Sequence, residues 1–229
     1  MCGRYTIKQP AAVASAYAVA AGLLESQGAR FNVAPSQALP VIFRAGARLA
    51  AASMTWGLVP AWERAAKPRL APTNARSEEA LQKPMFRPAL QKRRCLVPAD
   101  GFYEWRRVGE KTKVPHHIQL SGARPFAMAG IYEEANDLRP ATFALLTTGP
   151  NELMVPIHDR MPVILTPEGE HRWLADEALD AATLASLATP FPAAAMEAFT
   201  VASLVNNARH DTPDCAQPVP YQEEPCFPW

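Results

Sequence analysis

The chain has few cysteines, and none of them form pairs along the sequence. Four cysteines are scattered over 229 residues without a C-x-x-C motif: Cys2, Cys95, Cys215 and Cys226. This spacing gives neither a zinc signature nor a disulfide framework, so we expect no metal and no organic cofactor. Isolated thiols are typical of a reducing compartment, which indicates a cytoplasmic protein in which a reactive cysteine stays a free thiol.

Long apolar runs are also missing. No stretch of about 18 uncharged apolar residues occurs, which excludes a membrane-spanning helix. The apolar segment from Ala11 to Leu24 lacks a basic lead-in and a clear cleavage site, so we do not expect a signal peptide. Without an internal repeat or a long linker, the length favours one domain with a sizeable core, and we expect a monomer.

The net charge of +1 conceals a strong asymmetry. Residues 62–113 contain 13 lysines and arginines against 6 acidic residues, a local charge of +7. Residues 168–229 contain 2 against 10, a local charge of −8. The middle of the chain therefore suits a polyanion, although a solvated basic surface is an alternative that charge alone leaves open.

Proline accounts for 23 of the 229 residues, about twice its usual share, which favours short elements and many loops. The strands outnumber the helices and do not alternate with them, which indicates an α+β domain rather than a doubly wound parallel sheet. The predicted helices are Pro10–Glu25, a short helix capped by Ser77 and ended by Pro84, Pro167–Ala175, and Asp180–Leu187. The predicted strands are Leu39–Phe43, Leu49–Trp56, Cys95–Val97, Phe102–Arg106, His116–Leu120, Phe126–Tyr132, Thr142–Thr147 and Val163–Leu165.

The chain opens with Met1-Cys2-Gly3, which is chemically its most informative segment. Removal of Met1 by an aminopeptidase would leave Cys2 with a free α-amine and a thiol on adjacent carbons. The reference pKa values of these groups are about 7.7–8.0 and about 8.5. The amine can condense with an aldehyde to a Schiff base, and the thiol can then close a thiazolidine ring. The pair is therefore a candidate aldehyde trap, unless the cysteine stands there by chance.

Two segments offer polar groups that suit such chemistry. In Pro72–Ser77, an extended backbone would turn Asn74 and Arg76 to one face, where an amide and a guanidinium suit a phosphate or a sugar oxygen. In Asp100–Trp105, aromatic neighbours would desolvate Glu104 and raise its pKa, as a general acid requires. The alternatives are an exposed loop for the first segment, and for the second a carboxylate that strand alternation turns to solvent.

Two further segments carry a histidine and a pair of tryptophans. His158 could transfer protons near pH 7 and Arg160 could bind an anion, although a lone histidine is often structural. Trp56 and Trp62 flank a Gly/Pro loop that could stack on an unpaired base. We expect Trp56 to be buried in the core and only Trp62 to be exposed.

Six motifs occur in order along the chain. They are Cys2-Gly3-Arg4-Tyr5, Phe31-Asn32-Val33-Ala34-Pro35, Trp56-Gly57-Leu58-Val59-Pro60, Asn74-Ala75-Arg76-Ser77-Glu78, the run from Arg94 to Trp105, and His158-Asp159-Arg160-Met161-Pro162. In these motifs the sequence strongly resembles the SOS response-associated peptidase (SRAP) family, the abasic-site processing proteins. The resemblance implies a single α+β domain with a mixed, largely antiparallel sheet or barrel-like core and peripheral helices. We assign residues 1–207 to this domain and residues 208–229 to a proline-rich tail, packed on the surface or disordered.

The resemblance also implies a function. Family members lose the initiator methionine and join the new N-terminal cysteine to the ring-opened aldehyde of an abasic site in single-stranded DNA. The thiazolidine product shields the lesion, and crosslink reversal, lyase-type chemistry and autoproteolytic processing of Met1 are further implied activities. Replication-fork proteins are implied as partners, and a nucleoid association if the protein is bacterial.

By matching position, the resemblance gives each site residue a role. Cys2 supplies the amine and the thiol, Asn74 orients the amine and the sugar, Glu104 moves protons, and His158 assists opening of the sugar ring. The DNA-binding residues implied in the same way are Arg4, Arg76, Ser77, Trp62, Thr147 and Arg160. One departure concerns the position after Trp62, where several relatives have a second aromatic residue and this chain has Glu63.

Two rival functions remain open on the sequence. Glutamine amidotransferases also begin Met-Cys-Gly and use the freed amine as a base, but here Arg4-Tyr5 replaces the small apolar residues usual in that class. Such an enzyme would hydrolyse glutamine. A non-covalent single-stranded DNA-binding module would bind in a salt-sensitive manner and form no bond that survives denaturation.

Overall fold

Two β-sheets carry the fold, and the candidate residues lie where the two sheets meet. The structure, a computed structural model, describes residues 2–65, 68, 70–109 and 112–220. The strands within these ranges are β1 (Arg4–Ile7), β2 (Arg30–Val33), β3 (Ala38–Ala45), β4 (Arg48–Trp56), β5 (Asn74–Arg76), β6 (Arg94–Ala99), β7 (Gly101–Val108), β8 (Thr112–Leu120), β9 (Phe126–Glu133), β10 (Thr142–Thr148), β11 (Met161–Pro162), β12 (Ile164–Leu165) and β13 (Met196–Thr200).

Short helices surround the sheets. They are α1 (Pro10–Ala16), α2 (Ala21–Gln27), α3 (Ser77–Ala80), α4 (Arg87–Lys92), α5 (Pro167–Trp173) and α6 (Ala181–Leu187), with 3₁₀ helices at Ala18–Ala20, Ala193–Ala195, Ser203–Asn206 and Pro213–Ala216. Side-chain caps begin α5 and α6, since Thr166 accepts from the Gly169 N–H and Asp180 from the Thr183 N–H. No helix within the described residues is long and apolar enough to cross a membrane.

Five strands of the larger sheet close into a ring. Strand β10 pairs with β4, β4 with β3, β3 with β6, β6 with β9, and β9 with β10 again. Strands β9 and β10 are buried along their whole length, as continuous apolar runs require when both faces of a strand are covered. The pairings of β10 with β4 and β5 are parallel and the other described pairings are antiparallel, so the predicted α+β domain with a largely antiparallel, barrel-like core is confirmed.

The smaller sheet has the strand order β13-β8-β7-β1-β2 and packs against the ring. Trp56 joins the two layers, because its ring lies 5.4 Å from the Tyr5 ring of β1 and stacks at 6.2 Å on Phe143 of β10. Its exposed fraction is 1%, which confirms the prediction of a buried Trp56.

Two local predictions are wrong. The predicted helix Pro10–Glu25 is interrupted at Tyr17, whose non-helical backbone (φ −127°, ψ 63°) separates α1 from a 3₁₀ turn and α2. Ser77 does not cap α3: Arg76 is the N-cap residue, its side chain makes no capping bond, and Ser77 is buried as the first residue of the helix. The acidic first turn of α3 and its end before Pro84 are as predicted.

The C-terminal segment runs along the edge of the smaller sheet. The Asp211 carboxylate accepts hydrogen bonds from the Phe31 and Asn32 N–H groups and from Arg30. Cys215 is buried in a small second core beneath this segment. Residues 221–229, and with them Cys226, lie outside the described residues, and the domain boundary at 207 stays a prediction.

Candidate active site

Pairing of β1 with β7 brings Cys2 close to Glu104. The two strands are antiparallel, with Arg4 opposite Tyr103 and Tyr5 opposite Phe102. The residues that precede Arg4 therefore lie beside the residues that follow Tyr103, which brings Cys2 close to Glu104. The Cys2 side chain has no exposed area, and its thiol donates to the Arg4 carbonyl at 3.8 Å. Burial, together with the nearby Glu104 carboxylate, raises the pKa of the Cys2 thiol far above its ordinary value.

Asn74 holds the main chain of Cys2 from the other sheet. Strand β5 pairs in parallel with β10, and Leu145 lies opposite Asn74. The Asn74 Nδ2 atom donates to the Cys2 carbonyl at 2.9 Å and to the Thr73 hydroxyl at 3.0 Å. Its Oδ1 atom is buried and accepts no hydrogen bond within the described part of the chain. An amide acceptor beside the nucleophile is therefore available to a further N–H or O–H donor.

Glu104 is the acid of the site. Its exposed fraction is 2%, so the alternative of a solvent-facing carboxylate is wrong. Burial raises the pKa of Glu104 to about 7, from an ordinary value of 4.5. A carboxyl group with this pKa is partly protonated at neutral pH and can both give and take a proton.

His158 faces Glu104 from the loop between β10 and β11. Its Nε2 atom lies 3.7 Å from Oε2 of Glu104, and its Nδ1 atom accepts from the Arg160 N–H at 3.0 Å. Asp159 Oδ1 also lies 3.0 Å from Nδ1, but this side chain is 84% exposed, so the fixed main-chain donor decides the tautomer. Burial lowers the pKa of His158, which favours a neutral ring with its proton on Nε2.

Arg160 and Thr147 border the site, and both have partners in this structure. The Arg160 guanidinium donates to both oxygens of Glu78 at 2.8 and 2.9 Å and to the Thr147 carbonyl at 2.6 Å. Arg160 lowers the pKa of Glu78, chiefly through these hydrogen bonds. A phosphate contact by Arg160 stays a prediction and requires exchange of Glu78 for the phosphate. Thr147 is fully buried behind this guanidinium.

The other predicted DNA-binding residues spread outward. The Arg76 side chain is half exposed and pairs with Glu79 at 3.3 Å, while Ser77 is buried. Trp62 is 61% exposed, as expected. The wedge role of Trp62 stays a prediction.

Arg4 points away from the nucleophile and into the C-terminal segment. Its guanidinium donates to Asn32 Oδ1 at 2.8 Å and to the carbonyls of Val205 and Asn206 at 2.6 and 3.3 Å. These neutral acceptors hold the Arg4 side chain against the C-terminal segment. The phosphate contact predicted for Arg4 therefore stays a prediction.

An open groove of about 420 Å³ lies directly beside His158. Its lining combines one aromatic ring, two cations and an apolar loop: Trp105, Arg107, Lys113, Val155, Pro156, Ile157, His158 and Asp159. Cations interleaved with aromatic and apolar surface suit a single strand with unstacked bases. No individual role for Trp105, Arg107 or Lys113 is predicted from the sequence. For Trp105 and Arg107 a sequence signal existed, because side chains alternate along a strand and these two residues therefore share one face of β7.

These residues form one constellation drawn from both sheets. Cys2 and Glu104 come from the smaller sheet, and Asn74, Thr147 and His158 come from the larger sheet and the loop after β10. The described residues contain no cluster of three or more His, Cys, Asp or Glu side chains that could hold a metal ion. A buried thiol, an open amide acceptor, a carboxyl group with a pKa of about 7 and a neutral imidazole can together perform condensation chemistry at a carbonyl.

The sequence and the fold are similar to known proteins. The abasic site processing protein YoqW of Bacillus subtilis (strain 168) is 45% identical over 189 residues, which cover 80% of this chain and 84% of that protein. The abasic site processing protein YedK of Escherichia coli (strain K12) is 31% identical and aligns with 83% of this chain and 85% of its own length. A crystal structure of a protein from Bacteroides thetaiotaomicron superposes with a TM-score of 0.81 at 30% identity, covering 95% of this chain and all of that one.

A family-level comparison agrees with these similarities. Residues 1–208 match the sequence model of the SOS response associated peptidase (SRAP) family. The match includes the N-terminal cysteine motif and extends past the loop that carries His158. The chain therefore belongs to the SOS response associated peptidase family.

Proposed function

We propose that this protein processes abasic sites by linking itself covalently to them in single-stranded DNA. The relatives named above are called abasic site processing proteins, and the proposal carries that activity to this chain. The observation that carries the chemistry is the environment of Cys2. Asn74 Nδ2 donates a hydrogen bond to the Cys2 carbonyl at 2.9 Å, and the buried Asn74 Oδ1 is available as an acceptor. Glu104, with a pKa of about 7, lies close by.

The amine of Cys2 is the first nucleophile in this proposal. Burial raises the pKa of the thiol, so little thiolate exists at neutral pH. An α-amine has a reference pKa of about 7.7–8.0, and a usable fraction is therefore unprotonated. Once Met1 is removed, the new amine can donate to Asn74 Oδ1, which directs its lone pair toward an incoming aldehyde.

Ring opening of the abasic sugar must come before condensation, because the closed hemiacetal hides the aldehyde. The neutral His158 ring donates from Nε2 and stabilises the sugar oxygen that gains negative charge as the ring opens. Protonated Glu104 gives its proton to that oxygen while its second carboxyl oxygen takes the proton of the hemiacetal hydroxyl, so Glu104 is still protonated for the next step. The distance of 3.7 Å between the two side chains lets both act on one sugar.

Condensation and closure then balance with the release of one water. The amine adds to the aldehyde carbon, and protonated Glu104 gives its proton to the departing hydroxyl, which leaves an iminium ion. The Glu104 carboxylate next takes the thiol proton, and sulfur adds to the iminium carbon to form the thiazolidine. Glu104 ends protonated, ready to catalyse the reverse sequence, and we propose the same group for crosslink reversal.

The groove beside His158 is proposed to hold the strand next to the lesion. Arg107 and Lys113 face phosphates and Trp105 offers a stacking surface for a base. We also propose that the protein can process its own N-terminus, since hydrolysis of the Met1–Cys2 bond must come before any reaction of the amine. The thiazolidine, the reversal and the self-processing are parts of this proposal.

The decisive test uses a single-stranded oligonucleotide with one abasic site and a denaturing gel. Protein whose loss of Met1 has been verified by mass spectrometry should give a shifted band. Cys2→Ala should give none, while its affinity for an intact oligonucleotide, measured by fluorescence anisotropy, stays within about twofold because the groove is unchanged. A protein with an N-terminal extension that cannot be removed should also fail to crosslink, since its Cys2 nitrogen is an amide.

The outcomes separate the alternatives. Equal crosslinking by Cys2→Ala would show that the assigned nucleophile is wrong. Salt-sensitive binding without any band that survives denaturation would support a non-covalent binding module instead. Hydrolysis of glutamine by the processed protein would support an amidotransferase.

A further inference from the structure

The C-terminal segment contacts both strands that carry the reacting pair. Residues 203–211, the strap, cross the edge where β2, β1 and β7 lie side by side. Within the strap, Asn206 is bonded from two directions: its carbonyl accepts from Arg4 at 3.3 Å, and its Oδ1 accepts from Trp105 Nε1 at 2.7 Å. Arg4 is two residues from Cys2, and Trp105 follows Glu104 directly. One strap residue therefore connects the strand of the nucleophile with the strand of the acid.

Asn32 supports the strap from below. It is fully buried, its Oδ1 accepts from Arg4, and its Nδ2 donates to the carbonyls of Val205, Asn207 and His210 at 3.2, 3.1 and 2.6 Å. These bonds fix the strap main chain relative to Arg4. This gives a structural role to the Phe31–Pro35 motif, to which the sequence analysis assigned none.

The residue before Glu104 is anchored in the same region. Tyr103 donates its hydroxyl proton to the Phe31 carbonyl at 2.6 Å, and its ring packs with Val205 and Cys215 in the small second core. Both chain neighbours of Glu104 are thus held by β2 and the strap, while Glu104 itself points to the opposite face. The backbone of the acid is therefore fixed from the face opposite its own side chain.

We propose that Asn206 is a positioning residue for the crosslinking reaction: it couples the strand of Cys2 to the strand of Glu104 and sets the approach of the amine and the acid. The inference rests on the proposed function. Asn206 contacts neither the reacting groups nor the groove lining except through Trp105, and the Trp105 ring keeps its packing on the small second core without this bond. Asn206 should therefore affect the rate of bond formation and not the binding of DNA. Its side chain is exposed and its substitution leaves the buried bonds of Asn32 intact.

The test compares Asn206→Ala with Asn206→Asp under single-turnover conditions. Asn206→Ala removes the acceptor for Trp105, and the maximal crosslinking rate at saturating DNA should fall about two- to tenfold, the value of one hydrogen bond. The DNA concentration that gives half the maximal rate should stay unchanged. Asn206→Asp keeps an oxygen acceptor and should restore the rate. Ser203→Ala, an exposed residue of the same 3₁₀ helix with no described side-chain bond, is the matched control and should react like wild type.

A second substrate separates positioning from contact with DNA. 2-Deoxyribose 5-phosphate presents the same ring-opened aldehyde without neighbouring nucleotides, and Asn206→Ala should slow the loss of free Cys2 amine with this sugar by the same factor. A change in half-saturating DNA concentration alone, or a normal rate with the free sugar, would make Asn206 a DNA contact and overturn the inference. Wild-type rates in Asn206→Ala would overturn it as well. Absence of crosslinking by wild type would instead refute the proposed function.

Discussion

Nε2 of His158 lies 3.7 Å from Oε2 of Glu104, although the two residues are 54 positions apart in the chain. The Arg160 N–H occupies the other ring nitrogen, so the proton of the neutral ring is directed at the carboxylate. Burial moves the pKa of Glu104 up and that of His158 down, which favours the neutral form of both groups. The site therefore holds one carboxyl proton and one N–H without a fixed charge pair, and both are available to a neutral sugar.

Replacement of Cys2 by serine should separate the two bond-forming steps. Cys2→Ser keeps the amine, provided that Met1 is still removed, and the imine should form. A hydroxyl group is a much weaker nucleophile, so the yield that survives denaturation should fall at least about tenfold. Borohydride, which reduces an imine to a stable amine, should restore the band on the gel. A stable band of wild-type intensity without reductant would contradict the role of the thiol.

The pH dependence of crosslinking should report on Glu104. The amine must be unprotonated, which favours high pH, and Glu104 must be protonated to expel water, which favours pH values below about 7. The rate of wild type should therefore pass through a maximum near neutral pH and fall on the alkaline side as the carboxyl group ionises. Single-turnover rates between pH 5 and pH 9, about two units to either side of the maximum, would trace this curve.

Glu104→Gln is the control for that profile. Loss of a general acid typically lowers a rate about 10²–10⁴-fold, and the alkaline decline should disappear with the titrating group. Binding of an intact oligonucleotide should be retained, because Glu104 does not line the groove. A decline that persists in Glu104→Gln would assign it to a different group.

Glu78 should act as a competitor for the DNA backbone. It holds Arg160 through two hydrogen bonds, so Glu78→Gln leaves the guanidinium without its charged partner. We expect binding of single-stranded DNA to tighten about two- to fivefold, the range of an exposed ion pair. Anisotropy titrations at several salt concentrations would measure this effect. Glu25→Gln on α2 removes the same charge at a distance, and equal affinities in both variants and wild type would exclude Arg160 as a phosphate contact.

The turn between β6 and β7 depends on Gly101. A Cβ atom at this position would lie 2.3 Å from Nε2 of His117 and 2.9 Å from the Thr6 hydroxyl oxygen. The His117 ring has no room to retreat, since it is packed between Tyr103 and Phe199 at ring distances of 5.0 and 5.2 Å. Gly101→Ala should therefore lower the free energy of unfolding by about 1–3 kcal/mol.

Gly22→Ala is the matched control in urea unfolding. No atom lies within 4 Å of a Cβ at this helical position, and alanine favours the helix by about 1 kcal/mol relative to glycine. This variant should be as stable as wild type or more so. Equal stability of Gly101→Ala and wild type would mean that the β6–β7 turn yields more easily than its packing indicates.

The sequence predicted those elements whose own residues determine them. The strands around Phe126 and Thr142 were found because continuous apolar residues mark strands that are covered on both faces. The strands β1 and β2 were missed, since each has only four residues and includes polar side chains that are buried by distant partners. The helix α4 was missed because Pro88 reads as a break but stands in the first turn, where a helix tolerates it.

The site residues also divide into those that could be predicted from the sequence and those whose surroundings depend on distant parts of the chain. The convergence of Cys2, Asn74, Glu104 and His158 came from the family resemblance, whereas the residues alone left Glu104 free to face solvent. The environment of Arg4 was out of reach, because its acceptors at Val205 and Asn206 lie about 200 residues away along the chain. The local sequence pattern predicts which residues lie in a strand, whereas tertiary packing decides which groups their side chains contact.

The assembly of the site from two sheets has a consequence for the timing of its chemistry. A ribosome makes the N-terminal residues first, and domains fold as their segments become available. Cys2 is made 102 residues before Glu104 and 156 before His158. On a nascent chain, a processed Cys2 is thus an ordinary aminothiol without an acid or imidazole partner. In the proposed function, catalysed reactivity toward damaged DNA therefore begins only when the loop that carries His158 docks, late in the synthesis of the polypeptide.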